Sequence, residues 1–214
     1  VEWRKIVNAR TEKVNWNQPF PAGRTVRKDA VRLRFFLKKI LFFLDPSYNL
    51  LRVKIGVVSD THLRGANDYL RRISERFFSD AEMVIHAGDL VNPAVLKAFE
   101  GKDVRAVRGN MDQDDALPEK LIIEVEGARI GLIHGWGMPF GIEAKLLKQF
   151  ENIDCLVYGH THTAVSHVKD GVLLFNPGSP TDRMFAARNT VGVLEVSSGS
   201  VSGRILEISR KEFV

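Results

Sequence analysis

The sequence predicts an α/β fold in which two β-sheets pack face to face and carry helices on their outer surfaces. Three observations lead there. From Val53 to about residue 158, short apolar runs alternate with amphipathic helical stretches; from about residue 164 onward the chain reads as strand and turn only. The 214 residues, 44% apolar and 27% charged, suffice for one domain with a sizeable core plus an appendage. An α/β half followed by a β-rich half buries its apolar faces best as two stacked sheets with helices outside.

The elements follow in order. Residues 53–58 (Val-Lys-Ile-Gly-Val-Val) read as a buried strand, and residues 69–78 as an amphipathic helix. Residues 83–85 form a second strand, 93–99 a short helix with Pro93 at its start, and 104–107 a third strand. Residues 121–125 and 129–133 read as a strand pair joined at Glu126-Gly127, a helix covers 142–150, and a strand covers 155–158. Strands at 164–168, 172–175, 190–196 and 201–208 complete the chain, with hairpin turns at Asp170-Gly171 and Gly199. No internal repeat, low-complexity tract or transmembrane span is visible.

Residues 1–52 stand apart as a basic, aromatic-rich extension ahead of a domain at 53–214. The first fifty residues hold eleven basic against four acidic side chains; the remainder holds twenty against twenty-two. The overall +5 therefore belongs to the extension, not to the main domain. Pro19, Pro21 and Gly23 mark irregular chain. On a helix, Leu33, Phe36, Leu37, Ile40 and Leu44 share one face with basic groups beside it. That stretch is too short and too charged to span a bilayer, but suits an anionic membrane surface or nucleic acid. A helix packed on the domain, or upstream sequence translated from a misplaced start, are the plainer readings and are favoured; the chain opens with valine, which leaves the latter open. The single cysteine, Cys155, excludes an intrachain disulfide and a thiolate cluster, and its apolar surroundings make it a buried, inert thiol. With no signal peptide evident, a reducing cytoplasm is the expected compartment.

The chemistry lies at strand ends. Strand one ends in Ser59-Asp60-Thr61-His62, where an extended backbone would turn Asp60 and His62 the same way, towards one ion. Strand two ends in Gly88-Asp89, strand three in Gly109-Asn110, the 129–133 strand in His134-Gly135, and the 155–158 strand in Gly159-His160-Thr161-His162, again read as two same-side imidazoles. Carboxyl ends of strands are where ligands gather in open α/β sheets. One such dipeptide means little; five in this order, holding four of the six histidines, mean much more.

Together these segments resemble the motif set of the calcineurin-like metallophosphoesterases. The compact size and Asn176-Pro177-Gly178-Ser179 are similar to the small bacterial and archaeal phosphodiesterases related to the eukaryotic retromer subunit, over roughly residues 53–208. The resemblance implies a four-layer α/β/β/α sandwich of two mixed β-sheets flanked by helices. It implies one divalent metal on Asp60, His62, Asp89 and His162, and a second on Asp89, Asn110, His134 and His160. A shared anionic ligand is what two dications about 4 Å apart require, hence a bridging Asp89. Imidazole, carboxylate and amide donors without thiolate suit Mn2+, Fe2+, Zn2+ or Ni2+ better than calcium; availability decides among them, with Mn2+ the first choice. Two dications, two carboxylates and a bridging hydroxide leave a positive site that attracts phosphate, and the hydroxide is the expected in-line nucleophile.

Two positions depart from the family pattern. Many members carry histidine after Gly-Asn, where this chain has Met111; Asp112, next in line, is the candidate for leaving-group assistance. Without an acid there, good leaving groups and activated diesters are preferred. Trp136 stands where related small enzymes often have another histidine, and is read as a cleft wall that stacks on a base, or else as a packing residue, with Arg183 as a phosphate contact. His86 is either support for the metal centre or a buried strand-end residue; His167 is expected to be exposed; Asn176 and Ser179 either shape the cleft floor or serve their own turn.

The expected function is hydrolysis of a phosphodiester in a small phosphoester substrate. Phosphomonoester or pyrophosphate cleavage comes next, then a non-catalytic interaction scaffold as in the retromer subunit, and a nuclease using the basic extension. The physiological substrate and oligomeric state are not legible in the sequence.

Overall fold

The structure is a computed structural model that describes residues 52–113, 116–182 and 184–209. The helical reading of the basic extension and the position of Arg183 lie outside the described residues.

Ten strands among these residues form two mixed five-stranded sheets. The strands are β1 (Val53–Val58), β2 (Met83–His86), β3 (Asp103–Ala106), β4 (Lys120–Val125), β5 (Ala128–Ile133), β6 (Cys155–Val157), β7 (Val165–Lys169), β8 (Val172–Asn176), β9 (Thr190–Ser197) and β10 (Ser200–Glu207). The first sheet runs β10-β9-β1-β2-β3, with β1, β2 and β3 parallel and β9 antiparallel to both β1 and β10. The second runs β4-β5-β6-β8-β7, with β5, β6 and β8 parallel and antiparallel hairpins at both edges.

The two sheets do not correspond to the two halves of the chain. The last hairpin, β9-β10, completes the first sheet by pairing β9 with β1, Val53 opposite Val196. This leaves β1 paired on both sides and buried almost throughout, which is why it reads as a continuous apolar run instead of an alternating one. A close fit joins the sheets. A Cβ at Gly192 of β9 would lie 2.3 Å from the Phe175 ring of β8, and one at Gly203 of β10 would lie 2.6 Å from it. Phe175 is wholly buried, so two glycines in the first sheet make the recess that receives an aromatic ring from the second.

Three two-residue turns close the antiparallel hairpins: Glu126-Gly127, Asp170-Gly171 and Ser198-Gly199. Both residues of each have positive φ, the geometry whose twist suits paired strands. Two of these turns meet, the Gly199 N–H donating to the Glu126 carbonyl at 2.7 Å and tying the ends of the two sheets together.

Helix α1 (Asp68–Phe77) starts one residue earlier than the sequence suggests, because the Asn67 side chain caps it by accepting from the Leu70 N–H. Its Leu70 and Ile73 pack with Phe78, Val84, Leu90 and Phe99 on the outer face of the first sheet. Residues 93–99 form a 3-10 helix instead of an α-helix, with Asn92 as cap and Pro93 at its first position; Val95 and Ala98, three apart, face the core as that tighter winding requires. Helix α2 (Ile142–Leu147) covers the second sheet through Ile142 and Leu146, packed with Leu156, Tyr158 and Leu174. It stops three residues short of the expected end. Gln149 and Phe150 donate to Leu146 and Leu147, three residues back, and Asn152 takes a left-handed conformation.

Cys155 sits in the centre of the second sheet, and burial, aided by the Asp154 charge, pushes its thiol far above the ordinary range. Native protein is therefore expected to show no reaction with Ellman's reagent over the minutes in which urea-unfolded protein reacts fully. Fast labelling of the native state would show that β6 opens readily.

Candidate metal centre

The site forms where the loops leaving β1, β2, β3, β5 and β6 converge. The first two loops are bonded to one another: Asp60 N–H donates to Gly88 O, His62 N–H to Asp89 O and Leu63 N–H to Leu90 O, each at 3.0 Å. Asp60 and His62 are thereby fixed against Asp89 before any side chain is considered.

The expected extended geometry of the ligand pairs is not what these loops adopt. β1 ends at Val58 and β6 at Val157. Asp60, His62, Asp89, His160 and His162 all have positive φ, between 47° and 68°. Five non-glycine residues in the left-handed region within one cleft is a concentration of strain that surrounding contacts must sustain. In Asp60-Thr61-His62 the alternation still brings both side chains to one cluster. In His160-Thr161-His162 it parts them: His160 faces Asn110, while His162 faces His62 and Asp60.

All seven side chains are brought together. His62 Nε2 and His162 Nε2 are 3.2 Å apart, and His162 Nε2 is 3.4 Å from Asp60 Oδ1. His134 Nε2 lies 3.3 Å from Asp89 Oδ1 and 3.2 Å from Asn110 Oδ1, and His160 Nδ1 lies 3.0 Å from the same amide oxygen. Asp89 faces both groups, with Oδ1 towards His134 and Oδ2 3.7 Å from His62 Nε2. Asp60 also reaches both, its Oδ1 lying 3.9 Å from His134 Nε2. Two triads, Asp60-His62-His162 and Asp60-Asp89-His134, each offer ligand atoms within 4.8 Å of one another.

The tautomers suit a cation. His134 Nδ1–H donates to the Ala87 carbonyl at 2.7 Å, and His160 Nε2–H donates to the Gly137 carbonyl at 2.8 Å. His162 Nδ1–H donates to Asp182 Oδ2 at 2.5 Å. In each ring the other nitrogen is turned into the cluster, the orientation found around bound metals. Two imidazole nitrogens facing at 3.2 Å among carboxylates fit a shared cation or a shared proton.

Electrostatics agree. Burial pushes the Asp89 carboxyl up, but the hydrogen bond and charge of His134, the Met111 N–H and His62 outweigh it and hold Asp89 below its usual range. Burial likewise pulls His134 down, and its Asp89 and Asp60 neighbours raise it above the ordinary value. His162 is raised to about 9, first by its hydrogen bond to Asp60, against burial, and then by Asp182. In the metal-free protein this imidazolium adds stability below pH 6.5 that is lost as pH rises through about 9. A divalent cation held by His162 would have to displace that proton. Metal affinity is therefore expected to rise with pH, by up to about tenfold per unit per proton, and to level off near pH 9. Calorimetric titration with Mn2+ in two buffers of different ionisation enthalpy reads both the affinity and the proton released; equal affinity at pH 6.5 and pH 8.5 would contradict this.

The other candidates have partners of their own. Asp112 accepts the Val91 N–H on Oδ1 at 2.6 Å and the Gly109 N–H on Oδ2 at 2.7 Å, so both oxygens are engaged in holding the β3 loop to the β2 loop. Trp136 is exposed, with Lys145 Nζ 4.5 Å from its ring centroid and also donating to its carbonyl oxygen. His86 is fully buried; its Nδ1 accepts from the Gly88 N–H, so Nε2–H donates to Thr61 Oγ1, and burial pushes its pKa down to about 3. A neutral His86 thus links the Asp60 and Asp89 loops. His167 is largely exposed, 3.4 Å from Glu143, and has no place in the site.

Asn176 and Ser179 do more than form their turn. Asn176 Nδ2 donates to Gly159 O and Thr161 Oγ1, and Ser179 Oγ donates to Asp60 O at 2.7 Å. Sequence reasoning missed Asp182, which orients His162 and accepts N–H groups from Met184, Phe185 and Ala186; burial opposes, but these contacts hold its carboxyl well below the usual range. Its neighbours form no periodic pattern, so nothing local distinguishes it from a loop aspartate.

Comparison with known proteins gives this geometry a family. A model described as the calcineurin-like phosphoesterase superfamily domain matches residues 53–199. A probable metallophosphoesterase of Methanocaldococcus jannaschii is 40% identical over 170 residues, covering 78% of this chain and 82% of that protein. The solved structure of an archaeal phosphodiesterase is similar with a TM-score of 0.58 and 26% identity, over 72% of this chain and 100% of that chain. A mutant of Vps29 from Entamoeba histolytica, 22% identical with a TM-score of 0.56 over 73% of this chain and 100% of that one, shares the fold.

Proposed function

We propose that this chain, which belongs to the calcineurin-like phosphoesterase superfamily, hydrolyses phosphoester bonds, phosphodiesters foremost, at a centre of two divalent cations. The observation that carries the reading is Asp89, one buried carboxylate whose two oxygens face two separate groups of nitrogen and oxygen donors. Asp60, His62, Asp89 and His162 would hold one cation, and Asp89, Asn110, His134 and His160 the other. The donor set contains imidazole, carboxylate and amide but no thiolate, which favours Mn2+ over calcium and leaves Fe2+, Zn2+ and Ni2+ as competitors.

When bound, such cations supply Lewis acidity at a phosphoryl oxygen and make water a competent nucleophile near neutral pH. The chain does the rest. The Ala87 and Gly137 carbonyls and Asp182 fix three imidazoles by their outer nitrogens. Neutral Asn110 keeps the site short of charge balance, so that an anionic phosphate is drawn in. Asp60 and Asp89 act as ligands and not as bases. Among the described residues after Asn110, Met111 has no proton to give and both Asp112 oxygens accept backbone N–H groups, so neither is placed to protonate the leaving group. The departing oxygen takes its proton from solvent, so esters with acidic leaving alcohols are expected to react fastest. A cytoplasmic setting belongs to the same reading and rests on the single cysteine; among the described residues no helix is long and apolar enough to cross a membrane.

The test removes all metal, restores manganese, and compares bis-p-nitrophenyl phosphate with p-nitrophenyl phosphate. Manganese-dependent cleavage with the diester faster supports the proposal in full. A faster monoester keeps the hydrolase and changes its substrate class. No turnover of either ester with manganese, iron, zinc or nickel overturns it.

A further inference from the structure

Among the described residues, six of the eight exposed large apolar side chains lie in three segments that each touch the metal centre. Met111 follows Asn110, and its N–H donates to Asp89 Oδ1. Trp136, Met138 and Phe140 lie on the loop after His134, whose Gly137 carbonyl receives the His160 N–H. Met184 and Phe185 donate backbone N–H groups to Asp182, and the Phe185 ring stands edge-on to His162 at 6.1 Å. Phe140 is 97% exposed, Met184 82%, Met138 77% and Phe185 76%. The other two, Ile122 and Val168, belong to β4 and β7, the edge strands of the second sheet.

Apolar surface exposed on the segments that hold a polar cluster calls for an apolar occupant. We infer that the substrate is an amphiphilic phosphodiester whose phosphate enters the metal centre while an alkyl or acyl chain lies across the rim of Met111, Trp136, Met138, Phe140, Met184 and Phe185. The inference rests on the hydrolase reading above and adds the class of ester. The chemistry of the rim chooses a chain over a nucleobase. These six side chains carry one N–H or O–H among them, the Trp136 indole, which leaves base edges almost without partners. Three methionines give an adaptable surface suited to a flexible chain. Lys145, against the Trp136 ring, supplies a cation beside this apolar surface for an anionic ester oxygen. The Gly135, Gly137 and Gly141 backbones, all at positive φ, let the loop carry its apolar side chains outward. The reaction balances simply: water oxygen bonds to phosphorus, the bond to the leaving oxygen breaks, and a phosphomonoester and an alcohol result.

The experiment measures kcat/KM of the full-length, manganese-loaded protein for p-nitrophenyl esters of methyl, butyl and octyl phosphate, kept below their aggregation concentrations. The leaving group is constant, so only the chain varies. An exposed rim is expected to give about twofold per methylene, about a hundredfold from methyl to octyl. Phe140→Ser and Met184→Ser should each lower the octyl-to-methyl ratio by about fivefold. Val168→Ser, which removes an exposed apolar group on the edge strand β7, outside the three segments, should leave that ratio unchanged. Cleavage of the methyl ester with no dependence on chain length overturns the inference and leaves the hydrolase standing. So does a preference for p-nitrophenyl thymidine 5′-phosphate over the octyl ester, which would hand the rim to a base. Failure to cleave any ester with any of the four metals sinks the hydrolase reading and this inference with it.

Discussion

Asp89→Asn is expected to lower manganese-dependent kcat/KM by about a thousandfold, which corresponds to ~4 kcal/mol of transition-state stabilisation. The carboxylate serves two donor groups at once, 3.3 Å from His134 on one oxygen and 3.7 Å from His62 on the other. An amide keeps the shape but halves the acceptors. Whichever side receives the NH2 presents hydrogens to the donor group it faces, and the anionic charge is lost. If Nδ2 takes the Oδ1 position, the Met111 N–H also loses its acceptor. Because the volume is unchanged, the fold should survive, and thermal unfolding of the metal-free variant checks that it does. Activity within tenfold of the parent would mean that Asp89 does not bridge.

Asp182→Ala is expected to weaken manganese binding by about ten- to a hundredfold while leaving turnover near normal at saturating metal. The reason lies one bond away from the site. Asp182 holds the outer nitrogen of His162 at 2.5 Å and also gathers the N–H groups of Met184, Phe185 and Ala186. Without it the imidazole rotates freely and its inner nitrogen is less basic. Asp182→Asn retains an oxygen acceptor and should recover part of the affinity. A merely structural role would instead lower thermal stability without shifting the metal titration. An unchanged titration would remove Asp182 from the metal centre.

These two residues were unequally legible beforehand. Asp89 announces itself as Gly-Asp at the end of an apolar strand, in a series with four similar strand ends. Asp182 has no such signature, and its importance comes from a partner twenty residues earlier that only folding brings close. Asp112 shows the converse. Its place two residues after Asn110 invites a catalytic role, yet its carboxylate is occupied by Val91 and Gly109 backbone groups. His160 and His162 teach the same lesson in backbone terms. Two residues apart suggests one face, but left-handed conformations send the rings to different groups.

What the sequence determined by itself was local. Strand positions, the Asp170-Gly171 and Glu126-Gly127 turns, and the identities of the polar residues at strand ends depend on a few neighbouring residues, whose periodicity and φ preferences are written in the chain. What only the tertiary structure decided was long-range. β9 pairs with β1 across more than a hundred residues, Phe175 enters the recess at Gly192 and Gly203, and His62 meets His162 from a loop a hundred residues away. Those outcomes follow from packing and from the hydrogen-bonding needs of buried groups, which are settled among distant segments together and not within any one of them.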